Sequence, residues 1–440
     1  MEGSTRLHPE LSEVFAKAPA SRLSRYAEAV EGSSILRIAG DIREMAARGD
    51  QVLNLTVGDF RPDQFPVPAR YRGLIEEALA AGETNYPPVA GVQDLRAALR
   101  DHLRLDFGLE YPLESFFVAG GARPLLYSAY MALVDPGDLV LYPVPSWNNH
   151  HYVRMSGGRG VPLPVTAEKN FHLDRDDLAP YLKQARLLCL NSPLNPTGTC
   201  IKRAPLTGIC EAIVEENVRR AKAGETPLWL VYDQVYHSQV FGRVEHHTPV
   251  GLVPEIAPWT VLLDAVSKGF CGTGLRVGWA TAAPKLIAKM AELAGHYGAW
   301  APRPEQVALA RFLRDRDAVH AHRRWMIEAL EARLGLIHES LVEMQAAGLP
   351  VDFVEPQGAI YLSVRFDLAG KTVAGRTIRS NEDLRQALLF GAGFAVVPFE
   401  AFGLEGPAGD GWVRVSVGAV SVDEIREGMA RVRKLLEEAK

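Results

Sequence analysis

Seven short apolar runs recur between residues 116 and 281, and helical spacing fills several of the gaps between them. The runs are Phe116 to Ala119, Leu139 to Tyr142, Val161 to Val165, Leu187 to Asn191, Leu228 to Asp233, Thr260 to Val266 and Val277 to Thr281. Several are nearly continuous in apolar residues, and such strands are stable only where helices cover both faces of their sheet. Pro124 to Val134, Pro205 to Lys222 and Pro284 to His296 read as those helices, each with a proline near the first turn, where a missing N–H does no harm. The pattern predicts an α/β doubly wound unit over about residues 51 to 300, with a mostly parallel seven-stranded sheet. Ligands of such a sheet gather at the carboxyl ends of its strands.

From Gly298 to Pro304 the chain turns to Gly, Pro and aromatic residues, and a helical stretch rich in Arg, Glu and Leu then runs to about Ala347. Beyond it, Ala359 to Phe366, Phe394 to Val397 and Trp412 to Val417 read as strands of a smaller α+β unit, closed by a helix from Val422. The expected organisation is an N-terminal arm and segment over 1–50 that packs with the small unit, a large domain over 51–304 and a small one over 305–440. The first fifty residues hold too little apolar material to fold alone.

Charge and motif spacing exclude several classes of function. Lys plus Arg number 48 against 53 Asp plus Glu, and no stretch concentrates the basic residues as a nucleic-acid binder does. No run approaches the roughly 18 apolar residues of a membrane span, and Met1 to Thr5 opens no basic-then-apolar leader, so a cytoplasmic protein is expected. Cys189, Cys200, Cys210 and Cys271 lack C-x-x-C spacing and read as buried thiols in a reducing compartment. Gly272 to Gly278 imitates a dinucleotide fingerprint, but a strand follows it where that fingerprint opens a helix. His246-His247 and His320-Ala321-His322 lie in charged stretches without ligand spacing and read as solvated, so no metal is expected. No Gly-x-Ser-x-Gly elbow is present.

Three strand tips carry chemistry. Lys268 follows the run Thr260 to Val266; at a buried strand end its amine would lose hydration and proton affinity, as Schiff-base lysines do, although alone it reads more simply as a lysine emerging into solvent. Asp233 ends another run and is either a carboxylate facing the ligand crevice or the cap of a following helix. Asn191-Ser192-Pro193-Leu194-Asn195-Pro196-Thr197-Gly198 is a turn stiffened by two prolines and a glycine, which could hold an asparagine amide toward the crevice.

Taken in this order, the segments resemble the class I/II aminotransferases, pyridoxal-phosphate enzymes of fold type I. The resemblance runs from about residue 35 to the C-terminal helix. It is carried by Asn191 to Gly198, Asp233 with Tyr236, Ser267-Lys268, Gly274-Leu275-Arg276-Val277-Gly278, and Arg414 within Trp412 to Ser416. The resemblance implies pyridoxal 5'-phosphate as cofactor, with Lys268 bound to its aldehyde and later moving the substrate proton. Asp233 would keep the pyridine nitrogen protonated, Asn195 and Tyr236 would bond the ring hydroxyl, and Trp147 would stack on the ring. His150 would hydrogen-bond Asp233.

For the phosphate, the resemblance implies Gly121, Ala122 and Arg123 ahead of the helix opened by Pro124, with Ser267, Arg276, and Tyr86 from a neighbouring subunit, hence a homodimer with shared active sites. Arg414, Gly58 and Asn195 would take the substrate α-carboxylate. Two positions depart from the family: Ala265 stands where a serine often binds the phosphate, and Arg123 replaces a small polar residue. The implied activity is ping-pong transfer of an amino group from an α-amino acid to a 2-oxo acid. Elimination, replacement or cyclisation on the same scaffold is the alternative. A cofactor-binding transcription regulator would need a DNA-binding module, which the first fifty residues do not supply.

Overall fold

The structure, a computed structural model, describes residues 11–17, 23–28 and 34–439. The seven expected strands form one sheet: β1 Phe116–Ala119, β2 Leu139–Val144, β3 Arg159–Pro164, β4 Ala185–Asn191, β5 Trp229–Asp233, β6 Thr260–Ala265 and β7 Gly278–Thr281. Their order is β1-β7-β6-β5-β4-β2-β3. Strands β2 to β6 pair in parallel, whereas β7 runs antiparallel to both β6 and β1. The connection from β6 to β7 holds only the short helix Val266–Gly269, too little for the crossover that a parallel return requires.

Helices α1 Gln93–Phe107, α2 Ala122–Leu133, α3 Arg203–Ala223 and α4 Pro284–His296 belong to this part of the chain. On α2 the residues Leu125, Leu126, Ala129 and Leu133 recur on one face, and that face is buried in the same core as β2, β4, β5 and β6. The long helical stretch divides into α5 Arg303–Arg314 and α6 Arg316–Ala346. The break is Asp315, whose side chain accepts the Ala318 N–H at 3.2 Å and so caps α6.

Strands β8 Val351–Val354, β9 Tyr361–Phe366, β10 Val397–Pro398 and β11 Trp412–Ser416 make a four-stranded antiparallel sheet in the order β10-β11-β9-β8. Strand β8 lies at the sheet edge with one of its four residues buried, which is why its sequence lacks the apolar run that marks the others. Helices α6 and α7 (Val422–Glu437) cover this sheet, with Met326, Leu330, Ile337, Val432 and Leu436 in one core with Val364, Val413 and Val415. Leu53–Asn54 pairs in parallel with Phe394–Ala395, so the chain touches this second core before it passes Thr56 to Asp59.

One expectation is corrected. His322 is not solvated: it is 8% exposed, its ring lies 5.4 Å from Trp325 and 5.9 Å from Phe270, and burial lowers its pKa to about 4. It shares the inward face of α6 with Val319 and Met326, at spacings of three and four. His246 and His247 are half-buried, and His320 alone of the four is exposed. The four cysteines are free and buried, and burial pushes each thiol up to about 12. Among the described residues no helix is long and apolar enough to cross a membrane.

Candidate active site

A cavity of about 540 Å³ opens where β4, β5 and β6 end, and the segment Thr56 to Asp59 and the smaller sheet close it. That volume suits a small-molecule site. Its lining includes Lys268, Asp233, Tyr236, Asn195 and Arg414, which come from four separate parts of the chain.

Lys268 sits in the turn after β6, and its Nζ donates to the Gly58 carbonyl at 2.5 Å. Desolvation lowers its pKa to about 8; the nearby Asp59 carboxylate opposes that shift and Arg414 adds to it. Asp233 ends β5. Desolvation pushes its carboxyl up to about 7, the Val235 N–H at 3.1 Å partly offsets this, and Asp264 raises it further. Asn191 accepts the Asn195 N–H on Oδ1 at 2.9 Å and donates from Nδ2 to the Asp233 carbonyl at 2.9 Å, so two strand tips share one bracket.

Arg414 lies on β11 and is 1% exposed. Its Nη1 donates to Asn195 Oδ1 at 3.1 Å and its Nη2 to the Thr56 carbonyl at 2.6 Å, while its Nε is buried without a partner. The guanidinium stacks over Tyr361 at 4.8 Å and Phe402 at 4.9 Å, and burial lowers its pKa. No acidic side chain pairs with it among the described residues. A buried cation held only by neutral groups is set up for an anion.

At the start of α2, Gly121 has φ +97, and a Cβ there would collide with the Arg276 guanidinium. Arg276 is anchored through Nη1 to the Thr273 carbonyl at 2.7 Å and Nη2 to the Gly120 carbonyl at 2.8 Å, beside the free N–H groups of the helix. Ala122, Arg123, Trp147, Ser267 and Gly58 are also in the lining, and Gly121 adjoins it against Arg276. The Arg123 guanidinium lies 5.5 Å from the centre of the Trp147 ring. Two expected residues lie elsewhere. Tyr86 is 82% exposed and rests edge-on against Trp300 at 5.2 Å. His150 is exposed beside His151, their rings 4.0 Å apart, and the structure does not bring it into the lining with Asp233.

The family model for aminotransferase class I and II matches residues 50–432. The chain belongs to that family and is a transaminase. The aspartate aminotransferase of Streptomyces avermitilis is 31% identical over 427 residues, which cover 95% of this chain and 97% of the relative. A probable aspartate/prephenate aminotransferase of Rhizobium leguminosarum is 30% identical over 410 residues, 92% and 96% of the two chains. The crystal structure of the Rhizobium meliloti aspartate aminotransferase superposes with a TM-score of 0.85 at 27% identity, covering 96% of this chain and all of that one. These relatives are transaminases, so elimination, replacement or cyclisation is not favoured.

The residues of this aminotransferase cavity that sequence reasoning passed over include Asp59, Thr273 and Tyr361. Thr273 Oγ1 donates to Asp59 Oδ1 at 2.7 Å and ties the Arg276 turn to the segment beside Lys268. Tyr361 had a readable signal. Strand β9 pairs Ser363 with Arg414, so Tyr361, two residues along, shares that face. A further cleft of about 820 Å³, between α3 and α6, contains none of these residues.

Proposed function

We propose that this transaminase works with pyridoxal 5'-phosphate, takes its nitrogen from an acidic amino acid such as aspartate and passes it to a 2-oxo acid by a ping-pong route. The observation that carries the reading is that Lys268, Asp233 and Arg414 line one cavity. The residues present fit the cofactor. Asp233 is desolvated and accepts the Val235 N–H, so a cationic ring nitrogen would stabilise its charge, and the start of α2 with Arg276 offers donors and positive charge to a phosphate.

Pyridoxal phosphate, when bound, supplies an aldehyde that combines with amines and a ring that absorbs negative charge from the substrate Cα. Lys268 would hold that aldehyde and would move the substrate Cα proton; burial, by lowering the proton affinity of its amine, favours the neutral form that both roles need. Asp233 keeps the ring nitrogen protonated. Tyr236 and Asn195 orient the ring hydroxyl, and Trp147 supports the ring face. Gly121, Ala122, Ser267 and Arg276 hold the phosphate. Arg414, with Asn195 and the Gly58 N–H, holds the α-carboxylate as a planar fork.

The acidic donor is supported by the names of the relatives and by Arg123, an exposed cation of the lining that no acidic side chain pairs with among the described residues. We assign Arg123 to the substrate's second carboxylate or to the phosphate. Tyr86, exposed and resting edge-on against the half-buried Trp300, supports a homodimer in which Tyr86 of one protomer reaches the phosphate of the other. The four buried free thiols support a reducing compartment, and we place the enzyme in the cytoplasm.

The test is to mix the cofactor-loaded protein with aspartate alone, following the visible spectrum and the products by mass spectrometry. Stoichiometric oxo acid without ammonia supports the reading. Ammonia or a cyclised product would replace it with the alternative outcome.

A further inference from the structure

We propose that His237 and Asp264 form a positioning pair that balances the charge behind Asp233 and so sets the pH at which the bound cofactor titrates. The proposal rests on the cofactor reading above. Asp264 is 4% exposed and lies on β6. The register aligns Asp233 with Leu263, so the next residue, Asp264, faces the other side of the sheet, away from the cavity. Its Oδ1 accepts the Ala265 N–H at 2.7 Å, and its Oδ2 faces His237 Nε2 at 3.0 Å. His237 is its one side-chain partner among the described residues. A buried carboxylate with so few donors depends on that partner.

The surroundings leave His237 in sole charge of the carboxylate. On α1, His102 and Asp106 lie nearby; on α6, Arg316, His320 and Arg323; on the loop after β5, His246. Both arginines turn to Asp106, Arg323 at 2.6 Å, and His246 Nε2 lies 3.4 Å from Gln234 Oε1. The Phe107 ring, 5.0 Å from the imidazole, packs against it. The same loop reaches the catalytic turn twice: Tyr236 lines the cavity, and Gln239 Nε2 donates to the Lys268 carbonyl at 2.7 Å. Asp264 also acts on Asp233 through space, raising its proton affinity. Without the imidazole its charge would stand unbalanced behind the site, in a medium that screens poorly.

His237→Gln keeps an N–H donor but cannot carry charge, and adding Asp264→Asn removes the charge left behind. Each protein is loaded with pyridoxal phosphate, and the pH midpoint of its visible absorbance and its Tm are measured. His237→Gln should raise the midpoint by roughly half a unit to one unit, since a nearby negative charge favours protonation, and the double variant should return to the wild-type value. A His237→Gln midpoint within roughly 0.2 unit of wild type, whatever its Tm, overturns the proposal by leaving only a structural bond. If His237→Gln is too unstable to purify, the double variant decides: it must fold and titrate like the wild type, and a displaced midpoint overturns the pair. Wild-type protein that gains no visible band overturns the cofactor reading and the pair together. A band that forms and does not move overturns the pair alone.

Discussion

The hydroxyl oxygens of Tyr236 and Tyr361 lie 2.7 Å apart, so a tyrosine from the tip of the large sheet is held by one from the small sheet. Both phenols are buried, and burial raises the pKa of each. Tyr361→Phe removes one neutral hydrogen bond and leaves Tyr236 without its anchor. Stability should fall by about 1 kcal/mol in urea unfolding, and kcat by less than about tenfold. Tyr236→Phe should reduce kcat more than Tyr361→Phe, because it removes the group nearer the chemistry. The reverse order in steady-state assays would exchange their roles.

Asp233 places a charge where the fold alone does not want one. Its carboxyl is raised from 3.8 to about 7 in the folded protein, so between those values the folded state binds more protons than the unfolded state. Apoprotein stability therefore falls as pH rises through that window, and the full loss is present above pH 7. Asp233→Asn should be more stable than the wild-type apoprotein at pH 8 by roughly a few kcal/mol, equal to it near pH 4, and lower in kcat by about a hundredfold or more. Tm against pH for both apoproteins, with turnover at pH 8, checks this.

Much of this arrangement was legible because buried strands and chemical tips coincide in the chain. The apolar runs ending at Asn191, Asp233 and Val266 correspond to β4, β5 and β6, the last of which closes one residue earlier at Ala265, and the residues at or just beyond their ends line the cavity. Arg414 was legible through the family resemblance, and the burial of its strand neighbours Val413 and Val415 accords with its place inside the fold. What escaped depends on distant pairing. Tyr361 reaches the cavity only through its register with β11, and Asp59 only because Thr273 holds it there. His322 was misjudged because a charged stretch of helix still turns one face inward.

Lys268→Ala removes the group that holds the aldehyde and the group that moves the proton. The visible band of the loaded enzyme should vanish and kcat should fall by at least about 10² to 10⁴. A retained band in the purified variant would move the assignment to another lysine.

Gly121 occupies a conformation that side chains rarely adopt, and a Cβ there strikes Arg276. Gly121→Ala should lose more than about 1 kcal/mol of stability and displace the guanidinium. The dissociation constant for pyridoxal phosphate, measured by fluorescence titration of the apoprotein, should rise about tenfold, as expected for a loss near 1.4 kcal/mol.

Arg123 separates two ways of using a single charge. If it binds the second carboxylate of an acidic donor, Arg123→Gln loses a charge-assisted contact of about 1.5 to 3 kcal/mol, or roughly ten- to a hundredfold in kcat/KM for aspartate. Alanine, which has no second carboxylate, should then be used as well as before, and cofactor affinity should hold. If Arg123 instead replaces the phosphate contact missing at Ala265, cofactor affinity should fall while the preference for aspartate over alanine is unchanged. The exposed position of Arg123 over the Trp147 ring favours the first result, because the phosphate end already has Arg276 packed beneath Gly121. Steady-state kinetics on both amino acids, alongside a cofactor titration, separates the two.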